Sequence, residues 1–180
     1  MRTPTREEKM SDAFYVIGCQ YFALAAYCAD RMYLPIAATL YHHAIEMLLK
    51  GFLAKSKTSD DLKGLGHNLK LLWHEFKALA STAELARYDT TIIQLNDIEL
   101  LRYPDSIVDK GFVLKIGLGT PIPIDLPGTE GLPQYLIDVS DVNAIATAIF
   151  KAGNVPVTPY FKNTPSEMKR TLPASLQPQE

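Results

Sequence analysis

One stretch of the chain decides the predicted fold: Tyr41-His42-His43-Ala44-Ile45-Glu46-Met47-Leu48-Leu49-Lys50. Apolar residues surround its polar ones on most sides of a helix, which predicts a central, largely buried helix. Ionisable side chains are costly to bury unless a partner satisfies them. On such a helix, Glu46 lies within side-chain reach of both histidines, and Lys50 follows it in the favoured orientation of an ion pair. This helix is therefore also the place to look for function.

Further helices are predicted on both sides of this stretch from the helical spacing of apolar side chains. The helix that contains the stretch begins near Pro35, which suits a first turn, and runs to about Ala54. A first helix covers residues 11–31, or begins earlier if the capping box Thr5-x-x-Glu8 opens it. The remaining predicted helices cover residues 67–79, 81–102 and 141–151.

The second half of the chain differs in composition, because glycine and proline residues separate two short apolar runs. These runs, residues 112–116 and 135–138, predict two strands that pair as a small hairpin. The predicted fold class is mainly α: an up-and-down bundle of four to five helices, with a small β-hairpin insertion between helices four and five.

Proline also divides the chain into two predicted parts, a helical domain of residues 1–153 and a proline-rich C-terminal tail of residues 154–180. The five prolines of the tail exclude long helices and central strands. We expect the tail to pack on the domain or on a partner, with Tyr160 and Phe161 as its anchors.

Composition excludes several classes of function. The chain has 180 residues, 47% of them hydrophobic, and a formal net charge of -2, so it lacks the bulk positive field of an avid nucleic-acid binder. No uncharged apolar run is long enough for a membrane span, and the first residues do not form a signal peptide. We therefore expect a cytoplasmic protein without membrane contact. Cys19 and Cys28 lie roughly 13 Å apart along one helix, too far to pair.

The polar cluster of the central helix has three interpretations. The first is structural: Glu46 and Lys50 form a partly buried ion pair, and one histidine is a hydrogen-bonded core residue. The second brings His67 to the same cleft and makes a pocket for a nucleotide, an RNA end or a small anion. The third and least favoured is a metal site, with His42 or His43, Glu46 and His67 as ligands. A lone His-x-x-Glu is a weak pattern, so we predict no metal and no cofactor.

Two residues outside the central helix complete the predicted site. His67 follows Gly66 at the start of a helix, where capping of exposed backbone donors is its favoured role. Arg102 ends the fourth predicted helix, where a cation complements the helix dipole; an anion-binding role is the alternative.

These segments together resemble the HEPN domain, a helical family named for nucleotide binding in higher eukaryotes and prokaryotes. The resemblance covers residues 12–152 and rests on three motifs: His43-Ala44-Ile45-Glu46-x-x-Leu49-Lys50, Gly66-His67-Asn68-Leu69 and Arg102-Tyr103-Pro104. It implies a bundle of four or five helices, a homodimer with a shared cleft, and a role in bacterial defence, toxin–antitoxin pairs or stress responses. A nucleotidyltransferase-type protein is the partner that the resemblance implies.

The chain departs from the pattern of the catalytic members, which are metal-independent ribonucleases with a histidine four to six residues after an arginine. None of its arginines has a histidine in that window. Without an imidazole near the arginine, the usual general acid or base for attack by a ribose 2'-hydroxyl is missing. We therefore predict no catalytic residues; an enzyme would have to combine His67 with Arg102 or Lys50.

The leading hypothesis is a non-catalytic HEPN-like module that binds a nucleotide, RNA or a partner protein. Its predicted ligand-binding residues are His43, Glu46, Lys50, His67 and Arg102. One alternative is a HEPN ribonuclease, an RNA-cleaving toxin with an atypical site. The other is a purely structural dimerisation or adaptor domain.

Overall fold

Two long antiparallel helices form the frame of the computed structural model, which describes residues 2–80, 83–102, 111–117 and 128–178. Helix α1 (Arg6–Asp30) begins at the capping box, because the Thr5 hydroxyl accepts from the Glu8 amide while the Glu8 carboxylate accepts from the Thr5 amide. The earlier of the two predicted starts is therefore correct. Helix α2 (Leu34–Leu53) has a proline in its first turn, as predicted.

Close approach of α1 and α2 depends on small residues at their contact. A Cβ added at Gly51 of α2 would lie 3.0 Å from the ring of Tyr15 on α1, a tighter contact than most packed atoms make. The Ser11 hydroxyl donates a 2.7 Å hydrogen bond to the Gly51 carbonyl and joins the two helices at the same level. Glycine at position 51 therefore sets the distance between the helices.

The segment that follows α2 contains more helical elements than predicted, and they are shorter. A short helix α3 (Ser59–Gly64) occupies part of the polar connection, and α4 (Leu69–Ala80) follows. The predicted single helix 81–102 is a 3-10 turn (Ala83–Tyr88), helix α5 (Asp89–Asp97) and a second 3-10 turn (Ile98–Arg102).

The two predicted strands exist, but the hairpin is wrong. Strand β1 (Val113–Gly117) pairs with β2 (Gln134–Asp138) in parallel, with Val113 opposite Gln134 and Gly117 opposite Asp138. The residues between the strands, 118–133, form a connection of the length that parallel pairing needs and a tight hairpin does not. Helix α6 (Val139–Gly153) follows β2 directly and ends at Asn154, which adopts a left-handed conformation with φ 50°.

The proline-rich tail packs on the helices. It contains the short helices α7 (Thr158–Phe161) and α8 (Ser166–Lys169) and a final 3-10 turn (Ala174–Leu176). Phe161 is fully buried in the same core as α1 and α2, and the Tyr160 hydroxyl donates to Asp12 on α1 at 2.8 Å. Both predicted anchors are confirmed, whereas the domain boundary at residue 153 stays a prediction.

Helix α2 is central, as its sequence predicted, because α1, α4, α5 and α6 all pack on it. The structure is thus mainly helical, with one small two-stranded sheet in its described part. Within that part, no helix is both long enough and apolar enough to cross a bilayer.

Candidate functional site

The centre of the candidate site is the carboxylate of Glu46, which is fully buried on α2. Helical spacing aligns it with His42 one turn before and Lys50 one turn after. The Lys50 Nζ donates to Glu46 Oε1 at 2.7 Å, with the Lys50 side chain only 10% exposed. His43 approaches from the same helix, with its Nδ1 3.5 Å from Glu46 Oε2. The ion pair predicted from the sequence is present and buried.

His67 reaches the same carboxylate from outside α2. Its Nδ1 lies 3.0 Å from Glu46 Oε1 and 3.1 Å from Oε2, and its side chain is 61% exposed. A carboxylate can only accept, so Nδ1 carries the proton and donates it to Glu46. The neutral tautomer therefore leaves Nε2 as a lone pair on the other side of the ring.

The capping role favoured for His67 is wrong. The Asn68 side-chain oxygen accepts from the amides of Lys70 and Leu71 and caps α4, which begins at Leu69 rather than at His67. Gly66 precedes His67 with φ 58°, a left-handed conformation that glycine adopts without strain. This turn and the Asn68 cap release His67 from the helix, so its ring is available to Glu46.

The contacts around Glu46 determine its charge. Burial raises the pKa of the carboxyl, but the interactions with His43, Lys50 and His67 outweigh burial and hold the pKa at about 2. Glu46 is therefore ionised at neutral pH. The negative charge of Glu46 and the positive charge of Lys50 balance within the cluster. Among the three partners of Glu46, which are His43, Lys50 and His67, His67 has the most exposed side chain.

His42 belongs to the cluster although it was not among the predicted ligand-binding residues. The ring is 1% exposed; its Nδ1 lies 2.8 Å from the Leu95 carbonyl of α5, and its Nε2 lies 3.9 Å from Glu46 Oε2. Burial lowers the pKa of His42 below its usual value of 6.5. The helical spacing indicates that His42 lies near Glu46. The contact of His42 with a carbonyl 53 residues away cannot be recognised from the neighbouring sequence.

Arg102 is the one predicted site residue that cannot be placed with the others. Its backbone ends the second 3-10 turn, but its side chain, like residues 103–110 with the Tyr103-Pro104 motif, lies outside the described part of the structure. The encounter of His67 with Arg102 therefore stays a prediction. Four of the five predicted residues, His43, Glu46, Lys50 and His67, do lie together around one carboxylate.

Comparison with known proteins adds no identification: no protein-family model matches the chain, and no curated protein or solved structure shows significant similarity to it. The resemblance to the HEPN domain stays a prediction that rests on the three sequence motifs. Functional conclusions therefore depend on the geometry around Glu46.

Proposed function

We propose that the protein is a HEPN-like helical module that binds a phosphorylated ribonucleoside, as free nucleotide or as RNA, without cleaving it. The observation that carries the proposal is the exposed ring of His67, which the buried carboxylate of Glu46 fixes in one orientation. A fixed, exposed imidazole offers a face on which a base stacks, and its Nε2 lone pair can accept a hydrogen bond from a ribose hydroxyl.

A fixed ring supports binding because less freedom is lost when the ligand arrives. The charge balance of Glu46 and Lys50 limits the attraction for bulk polyanion, which agrees with the net charge of -2. We therefore expect a modest affinity that depends on the ring more than on salt.

The test is fluorescence anisotropy of the full chain with a labelled RNA of mixed sequence and with a labelled adenine nucleotide. His67→Ala should weaken binding about tenfold, within the range that loss of one stacked base gives. His74→Ala is the matched control, because His74 is an exposed histidine on α4 and has no place in the cluster. Equal affinities for wild type, His67→Ala and His74→Ala would refute the proposal, as would absence of binding to both probes.

RNA cleavage at an atypical site is a second candidate function, and the hydrogen bond between Glu46 and His67 favours it. A carboxylate that orients an imidazole is the arrangement of a general base, and here the second ring nitrogen faces outward. Lys50, the other candidate, is already bonded to Glu46. Cleavage of labelled RNA that persists in chelator and is lost in His67→Ala, but not in His74→Ala, would replace binding by catalysis as the function.

We also propose that the protein is a homodimer, because α1 and the start of α2 carry exposed apolar side chains. Ile17 and Leu24 of α1 are exposed, and Ile36 at the start of α2 is 56% exposed. Association sites are typically apolar, and a second copy of the chain would cover these side chains. Light scattering should give a dimer for wild type and a monomer for Leu24→Glu. Leu79→Glu, on α4, is the control; a monomeric wild type would refute the proposal.

A further inference from the structure

The buried ring of His42 has a nitrogen that the rest of the structure does not use. The Leu95 carbonyl can only accept, so the 2.8 Å contact assigns the ring proton to Nδ1 and leaves Nε2 as a lone pair in the neutral ring. That Nε2 atom is buried and has no hydrogen-bond partner among the described residues. A buried polar atom without a partner carries a free-energy cost, so its retention needs an explanation.

The surroundings of this lone pair are electron-rich. Glu46 Oε2 lies 3.9 Å from His42 Nε2, and His43 Nδ1 lies 3.5 Å from the same oxygen. One possible ligand atom from each of the three residues lies within 4.8 Å of the others. A lone pair that faces an ionised carboxylate is unfavourable unless a cation or a hydrogen-bond donor lies between them.

We propose that His42 Nε2, His43 Nδ1 and Glu46 Oε2 bind a divalent transition-metal ion of the Zn²⁺ class. Bonds of about 2.1 Å separate two ligands of one ion by at most about 4.2 Å. The two distances to Glu46 already satisfy this limit, and the largest separation in the group has to close by only about 0.6 Å. The proposal departs from the sequence-based prediction of no metal, which the zinc titration tests.

The ligand types select the ion. Two imidazoles and one carboxylate suit Zn²⁺ and its first-row neighbours, whereas Mg²⁺ and Ca²⁺ prefer oxygen alone. The Leu95 carbonyl provides the second hydrogen bond that metal-binding histidines usually make, and it fixes the His42 tautomer that has Nε2 available.

Lys50 opposes the ion and also makes the proposal testable. Its ammonium is bonded to Glu46 Oε1, so the metal would bind Oε2, which also lies 3.1 Å from His67 Nδ1. Repulsion between the two cations should weaken binding. Lys50→Met should therefore bind Zn²⁺ more tightly than wild type, because it removes the repulsion and leaves Glu46 in need of a cation.

The experiment is calorimetric titration of the EDTA-treated full chain with ZnCl₂, without any nucleotide. We expect one Zn²⁺ per chain, with binding about tenfold or more weaker in His43→Gln and in His42→Gln. His43 is partly exposed, so His43→Gln is informative even if His42→Gln fails to fold. His74→Gln is the control for adventitious binding by a surface histidine.

A second measurement locates the ion. Nitrogen NMR of the histidine rings should show the His42 Nε2 resonance move on addition of Zn²⁺ while Nδ1 keeps its proton. The proposal is overturned if wild type binds no stoichiometric Zn²⁺, if His43→Gln binds as tightly as His74→Gln, or if the His42 resonance is unchanged. None of these results depends on the proposed ribonucleoside binding, so the two proposals can fail separately.

Discussion

Replacing Glu46 by glutamine should lower the free energy of unfolding by about 3 kcal/mol at pH 7. The pKa of the carboxyl is lowered from 4.5 to about 2 in the folded protein, and one pKa unit corresponds to about 1.4 kcal/mol. Loss of one partner of a buried ion pair costs about 3 to 5 kcal/mol. Lys50 keeps some contact with water, since its side chain is 10% exposed. The lower end of that range is therefore expected.

The loss should depend on pH with a defined sign. A glutamate whose folded pKa is depressed stabilises the protein fully above pH 4.5 and loses this effect as pH falls towards 2. The gap between wild type and Glu46→Gln should therefore be largest at pH 7 and shrink below pH 4.5. Urea unfolding followed by circular dichroism, repeated between pH 7 and pH 3.5, measures both quantities.

A surface ion pair provides the matched control. Glu75 pairs with Lys57 at 2.7 Å but is 35% exposed, and such pairs contribute little. Glu75→Gln should therefore remain close to wild type at pH 7. If Glu46→Gln lost no more stability than Glu75→Gln, or if its loss were the same at every pH, the buried charge would not have the role described here.

Three further predictions concern the core, the helix contact and a second titrating group. Phe161→Ala should lower the urea-derived free energy of unfolding by about 3 to 5 kcal/mol, because its ring is fully buried; a small loss would mean that the tail does not share the core. Gly51→Ala should cost about 1 to 3 kcal/mol through contact with Tyr15, whereas Gly64→Ala, which meets nothing within 4 Å, should not destabilise. Burial keeps the pKa of His42 below 6.5, so metal-free wild type should lose stability as pH falls below 6.5; an equal slope in His42→Gln would contradict this.

The sequence predicted the elements whose signals are local. The capping box at Thr5, the proline at the start of α2 and the apolar spacing of α6 each act within a few residues, and each marks a helix of the structure. The pair of Glu46 and Lys50 was predictable for the same reason, since one helical turn separates the two side chains.

Features that depend on distant parts of the chain were not predictable. The apolar runs at β1 and β2 indicate strands but not their relative direction, which the length and path of the connection decide. The favoured capping role of His67 was wrong because Gly-His-Asn has two residues able to cap a helix, and only the fold shows that Asn68 does so. The proton position on His42 depends on Leu95, which folding brings to α2 from another helix.

The two carboxylate oxygens of Glu46 have different proposed roles, one structural and one functional, and variants can test the two roles separately. Oε1 has Lys50 at 2.7 Å, and that pair accounts for a stable buried charge without any ligand. Oε2 accepts from His67 Nδ1 at 3.1 Å and also faces the two α2 histidines, one of which directs an unpartnered lone pair towards it. Lys50→Met should therefore lower stability and tighten zinc binding, whereas His43→Gln should weaken zinc binding with little change in stability. If the two variants instead changed both properties in parallel, the carboxylate would act as a single structural unit.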